Sequence, residues 1–186
     1  MEGLLVLTSD RKSLNFKLDT ASVVAYAAVD DLSPAYVHLC AVSDISEALG
    51  KFPGHTEGVV EMRAYYCDYD SSAPTPHAEM GSFAWLFSCS PRSLEASVLW
   101  QEQEYYGRVK SIPGWLRTRR YILLQHWSPV ADPPKPQREL ALFHEWNSCL
   151  GWQSHQFEAM IATHGRDELI KEARDVERRI LQRSDG

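Results

Sequence analysis

Residues 100–121, WQEQEYYGRVKSIPGWLRTRRY, carry a dense group of side chains able to do chemistry. Trp100, Glu104, Tyr105 and Tyr106 lie close together, and Arg117, Arg119, Arg120 and Tyr121 follow the turn Ile112-Pro113-Gly114. A tyrosine hydroxyl can donate a hydrogen bond to a developing enolate or phenolate, which is stabilisation of the oxyanion type. Tyr105 and Tyr106 are adjacent on a helix and point about a hundred degrees apart, so at most one faces a cavity squarely. The alternative role for both is packing, with a wet tip at an interface. An arginine fork can clamp a carboxylate or phenolate through two parallel hydrogen bonds. Arg119 and Arg120 are consecutive on a strand, so one faces each side, and either can instead pair with Glu104 or Glu139. Glu104 can act as a base if burial raises its pKa.

His144 adds a group that titrates near neutrality. In ELALFHEW, strand alternation places Leu140, Leu142, His144 and Trp146 on one face and Ala141, Phe143 and Glu145 on the other. A histidine on the apolar face is either a general base or a hydrogen-bonded core residue. His126, at the end of the preceding strand, is a further candidate. No HxxxH or HxH pair and no Gly-rich phosphate loop occurs, so neither a metal nor a bound cofactor is expected.

The elements that position these groups read as two similar halves. Met1–Thr8, Ser22–Val29, Tyr36–Val42 and Val59–Tyr69 are strands, with a capped helix starting near Ser43–Glu47. Gly81–Ser90 is a strand, Ser93–Ser111 a long helix, Trp115–Trp127 and Glu139–Trp146 strands, and Ser154–His164 a helix. Arg174–Gln182 alternates as a closing strand, although the same stretch also fits a helical period. Strand, helix, strand, strand, helix, strand is the split βαβ, ferredoxin-like order. Between Thr8 and Val23 there are too few residues for the first long helix. The expectation is an α+β chain of tandem ferredoxin-like modules, a degenerate one at residues 1–75 and a complete one at 76–186. Two such sheets curl into a shared barrel, whose interior is a natural ligand cavity with His126 near its mouth.

Composition narrows the function. The chain has 186 residues, 44% of them hydrophobic, and a net charge of -6. That supports a real core and argues against a nucleic-acid footprint, which needs a basic face. No apolar run is long enough to span a membrane, and MEGLLVLTSD lacks the basic start of a secretory signal. Cys40, Cys67, Cys89 and Cys149 are scattered without a CxxC pair, as in reduced thiols of a cytoplasmic protein.

In its motifs the chain resembles the EthD-type dimeric α/β-barrel proteins, in the two-module form common in fungal genomes. Members carry a WY-x-x-EH helix, a Pro-Gly turn, an R-R-Y strand and a Y-L-A-L-hydrophobic-E strand. Here these are Trp100–Tyr105, Pro113-Gly114, Arg119-Arg120-Tyr121 and Leu140–Glu145. Tyr105 falls where the family has a histidine that serves as acid or base near the pocket. The resemblance implies a cofactor-independent enzyme acting on an aromatic or polyketide-like small molecule in secondary metabolism, by decarboxylation, dehydration or cyclisation. The missing histidine tilts this towards a pericyclic closure. Tyr105, His144 and Arg120 are then the catalytic candidates. Trp100, Glu104, Tyr106, Arg119, Tyr121, His126 and Trp146 are the substrate-binding ones. The other reading is a non-catalytic small-molecule-binding or partner-stabilising barrel. A homodimer is expected, because a missing helix leaves a sheet face uncovered.

Overall fold

Strand periodicity builds the frame. A computed structural model describes residues 2–14, 21–30, 32, 34–51, 57–71, 81–128, 139–163, 167 and 170–184. Among the described residues there are eight strands: β1 (Gly3–Ser9), β2 (Ala21–Ala28), β3 (Tyr36–Val42), β4 (Val59–Asp70), β5 (Phe83–Ser90), β6 (Trp115–Trp127), β7 (Leu140–Trp146) and β8 (Arg174–Arg183). Helices with described bounds are α1 (Ile45–Lys51), α2 (Leu94–Trp100), α3 (Tyr106–Val109) and α4 (His155–Ile161). Gln101–Tyr105, between α2 and α3, is a π-helical segment.

All strand pairs are antiparallel, and they close into one barrel in the order β1-β3-β2-β8-β5-β7-β6-β4. Within it, β4-β1-β3-β2 comes from the first half of the chain and β8-β5-β7-β6 from the second, so both halves repeat one strand order. The β4–β6 and β2–β8 pairings join them, the latter setting Tyr26–Ala28 against Leu181–Arg183. The junction expected at residues 75 and 76 lies outside the described residues. Because the barrel closes within one chain, a second copy is not needed to complete it.

Local signals place the elements. Ser93 and Ser154 cap α2 and α4, each hydroxyl accepting a backbone N–H at 3.2 Å from Ala96 and Phe157 respectively. Gly114 turns the chain into β6 at φ 74, where a Cβ would stand 2.6 Å from Asn147 Oδ1. For β8 the strand period wins over the helical one. The segment fills the gap beside β5, which buries Leu181 and Arg179.

β7 is buried along its whole length because it has two dry faces. Ala141, Phe143 and Glu145 look into the barrel, while Leu142, His144 and Trp146 look outward under the helices. The barrel interior corrects one expectation. It is filled by its own side chains, including Tyr26, Tyr65, Tyr121, Phe143, Leu4 and Leu39, none more than 2% exposed. Polar networks plug its ends. At one, Glu145 accepts from Arg117 Nε at 2.7 Å, from Arg119 at 2.5 Å and from the Gly81 N–H at 2.7 Å. At the other, Tyr65 Oη donates to Glu139 at 2.5 Å and Arg63 meets Glu177 at 2.7 Å. No described helix is long and apolar enough to cross a membrane. All four cysteines are free thiols.

Candidate functional site

The helix layer over the outer face of the second half forms a second core, and a pocket opens at its edge. Trp85, Phe87 and Cys89 of β5 and Leu140 and Leu142 of β7 make its floor. Ser97 and Trp100 of α2, then Gln101 and Tyr105 of the π segment, make one wall, and Pro91 and Ile170 complete the rim. The space holds about 410 Å³ counted out to its open mouth. It is a narrow, apolar slot.

The π segment decides which side chains reach the slot. One wide turn, closed by the Tyr106 N–H on the Gln101 carbonyl, lets both tyrosines bury. Tyr105 lines the slot, with its ring 4.9 Å from Trp100. Tyr106 turns aside and stacks on Tyr69 at 4.4 Å, and its hydroxyl donates to Gln101 Oε1 at 3.2 Å. Burial pushes the Tyr106 phenol well up.

Behind the wall stands His144. Its Nε2 is 3.0 Å from Tyr105 Oη, and its Nδ1 is 2.8 Å from Thr118 Oγ1. Thr118 Oγ1 also accepts the indole N–H of Trp115 at 3.0 Å. His144 lies flat against Trp85 at 5.4 Å and is fully buried. That burial pushes its pKa down to about 3, since a charged ring there would lose its hydration. His144 is therefore neutral near pH 7. It holds Tyr105 in place through one hydrogen bond.

The arginines are placed on opposite faces of β6. Arg119 enters the barrel, where it pairs with Glu145 and lies near the Tyr121 and Phe143 rings. Arg120 lies on the outer face, 2.7 Å from Asp68 and 3.1 Å from Glu102, and reaches Gln101 Oε1 at 3.4 Å. Glu145, Asp68 and Glu102 thus take the fork positions anticipated for a substrate or for Glu104 and Glu139.

Among the sequence-derived candidates, the structure brings Trp100 and Tyr105 to the slot and His144 directly behind them. Tyr106 and Arg120 adjoin through Gln101. Glu104 is exposed on the solvent side of the π segment. Arg119 and Tyr121 are sealed inside the barrel. His126 stands at the Arg63–Glu139 end, 2.6 Å from Glu61. Trp146 is buried against Phe157 of α4. Sequence reasoning missed Gln101, Trp85 and Phe87. The β5 alternation puts Trp85, Phe87 and Cys89 on one face and could have found two of them; Gln101 had no signal without the π turn. Among the described residues, no group of three or more His, Cys, Asp or Glu side chains is placed to hold a metal ion.

An α+β barrel of two four-stranded antiparallel sheets, with helices on its outer face, defines the ferredoxin-like, dimeric α/β-barrel class. Solved structures agree. An anthrone oxidase-like protein superposes with a TM-score of 0.64 at 10% identity, covering 99% of this chain and 91% of that one. A putative monooxygenase from Lactobacillus acidophilus gives 0.55 at 9% identity, over 98% and 92%. A ferredoxin-fold protein from Listeria monocytogenes, described as related to antibiotic biosynthesis monooxygenases, gives 0.53 at 10% identity, over 100% and 96%. At these identities the likeness is one of fold. A scan of protein families and a search of curated proteins find no match.

Proposed function

We propose that this chain is a cofactor-independent enzyme that transforms an aromatic or polyketide-like small molecule in the slot between α2, the π segment and the sheet. The observation that carries this reading is Tyr105, fixed at the wall of an apolar slot by a buried neutral histidine at 3.0 Å. A positioned phenol in a dry space stabilises an enol or enolate more strongly than water does. Decarboxylation, dehydration and cyclisation share that need. So does attack of an enolate on dioxygen, a step in keeping with the fold shared with an anthrone oxidase-like protein and a putative monooxygenase. The Tyr105 phenol held at the slot wall supports donor and shape control. The resemblance to the EthD-type family supports the same substrate class.

The test is turnover. Purified protein is incubated in air with a panel of aromatic ketones and their enol tautomers, and products are followed by mass spectrometry. Product formed by wild type and lost in Tyr105→Phe supports the reading. Equal turnover in both sinks the assignment of Tyr105.

The narrowness of the slot and the filled barrel favour a second reading, a protein that binds a small molecule without changing it. Stoichiometric binding with no product across the panel would select it.

A further inference from the structure

We propose that Arg178 of β8, beside the slot floor, takes the carboxylate of the bound molecule, so that the slot accepts an aromatic acid: rings against Trp85 and Phe87, a carbonyl oxygen at Tyr105, and the acid group on the β8 side. This rests on the slot being the substrate site and on Tyr105 as its wall donor.

Strand register places the arginine. Phe87 lies on the slot floor, and the antiparallel β5–β8 pairing sets Arg178 directly opposite it. Opposed residues of adjoining strands project from the same face, with Cβ atoms about 5 Å apart. That face is the outer one. The next pair along, Ser88 and Glu177, turns into the barrel, where Arg63 meets them at 3.3 and 2.7 Å. The pair on the other side, Leu86 and Arg179, is buried inward as well. One step further, Trp85 and Ile180 return to the outer core. Arg178 itself is exposed. Its aliphatic stem can follow the apolar floor while the guanidinium stays in water.

Charge singles it out. The chain carries a net charge of -6, and none of the described lining residues is ionic. Arg117 and Arg119 are bound to Glu145 inside the barrel, and Arg120 is held by Asp68 and Glu102. Arg178 makes no ion pair or hydrogen bond with another described residue. The described carboxylates near it in the chain are engaged elsewhere. Glu172 meets Arg92 at 3.5 Å, Asp175 accepts from Ser90 Oγ at 3.5 Å, and Glu177 is turned to Arg63. An open guanidinium fork suits a carboxylate. A carboxylate pushed into the slot itself would lose its hydration and meet no counter-charge there, so an acid enters ring first.

The two anchors set the length of the ligand. Tyr105 is held over β7 by His144 at 3.0 Å, and β8 lies two strands away in the order β8-β5-β7, roughly 10 Å. A bicyclic aromatic with an oxygen function at each end spans a similar distance. The acid is then a handle rather than the reacting group. A carboxylate paired with arginine in water is stabilised against loss as carbon dioxide, so the chemistry falls at the carbonyl end, beside Tyr105.

Two probes of matched shape test this: 6-acetyl-2-naphthoate and its neutral amide, 6-acetyl-2-naphthamide, titrated at pH 7.5 by calorimetry. The acid is expected to bind one per chain, about fivefold tighter than the amide, and to lose that advantage in 0.5 M salt. Arg178→Gln should bring the acid to the amide's affinity and leave the amide unchanged, and Arg178→Glu should put the acid below the amide. The proposal is overturned if the amide binds wild type as tightly as the acid, or if the acid's advantage survives Arg178→Gln. Tyr105→Phe should weaken both probes by the same factor. Leu142→Trp fills the slot, and Ser97→Leu does so if the first variant does not fold. Loss of both probes in the filled protein, with no advantage for the acid in wild type, overturns the role of Arg178 and leaves the slot standing. Binding undiminished in the filled protein, or no binding of either probe to wild type, overturns the slot as the substrate site and the proposal with it.

Discussion

His144 makes the stability of this protein depend on pH in a direction the structure fixes. An exposed histidine titrates near 6.5, and burial between Trp85, Tyr105 and Trp146 lowers this one to about 3 in the folded chain. The unfolded chain therefore takes up a proton below pH 6.5 that the folded chain refuses. This contribution is fully present above the unfolded pKa and drains away as pH falls towards the folded one. One pKa unit corresponds to about 1.4 kcal/mol, so the whole effect approaches about 5 kcal/mol at pH 3, and the loss between pH 7 and pH 5 is about 2 kcal/mol. The assay is urea unfolding of wild type and His144→Gln at both pH values. Glutamine keeps polar atoms for Tyr105 and Thr118 but does not titrate in this range. With a urea slope of about 2 kcal/mol/M, wild type should lose about 1 M of midpoint that the variant keeps. His38 is also shifted down, first by burial, and adds the same sign of dependence, but it is present in both proteins and cancels. The variant will be less stable at pH 7 and flatter across pH. Parallel pH dependence in the two proteins would refute the buried neutral histidine.

Tyr105→Phe removes the phenol at the slot wall and should cut turnover of an accepted substrate by about 10²-fold while circular dichroism stays unchanged; His144→Gln should cost less, because it acts through Tyr105. Glu145→Gln leaves Arg117 and Arg119 short of their counter-charge inside the barrel and should cost about 3–5 kcal/mol in urea unfolding; a cost under 1 kcal/mol would mean water reaches that end. Phe143→Ala empties part of the barrel interior and should cost about 3–5 kcal/mol, measured the same way. Metal analysis and an absorbance spectrum of active protein should show no stoichiometric metal, flavin or haem; one metal per chain with activity lost on chelation would refute the cofactor-independent reading.

The sequence by itself determined the element order, because period-2 strands, serine caps and the Pro113-Gly114 turn are local physics. Repetition of strand, helix, strand, strand, helix, strand was enough to name the ferredoxin-like order, and the alternation of β7 set His144 apart from Glu145 correctly. Tertiary structure alone decided what those faces meet. Alternation says that Arg119 and Arg120 diverge, but not that one joins Glu145 inside the barrel and the other joins Asp68 and Glu102 outside it. It cannot say whether a barrel interior stays open; here Tyr26, Tyr65, Tyr121 and Phe143 converge from four strands and fill it. The site moved outward for the same reason, into the layer between helix and sheet. There Trp100 and Tyr105 are set by a π turn that leaves no mark in residue composition, and the pKa of His144 is set by burial under side chains far from it in the chain. Local signals are encoded within a few residues, whereas burial and counter-charge depend on which distant strands meet, and that is settled only when the barrel closes.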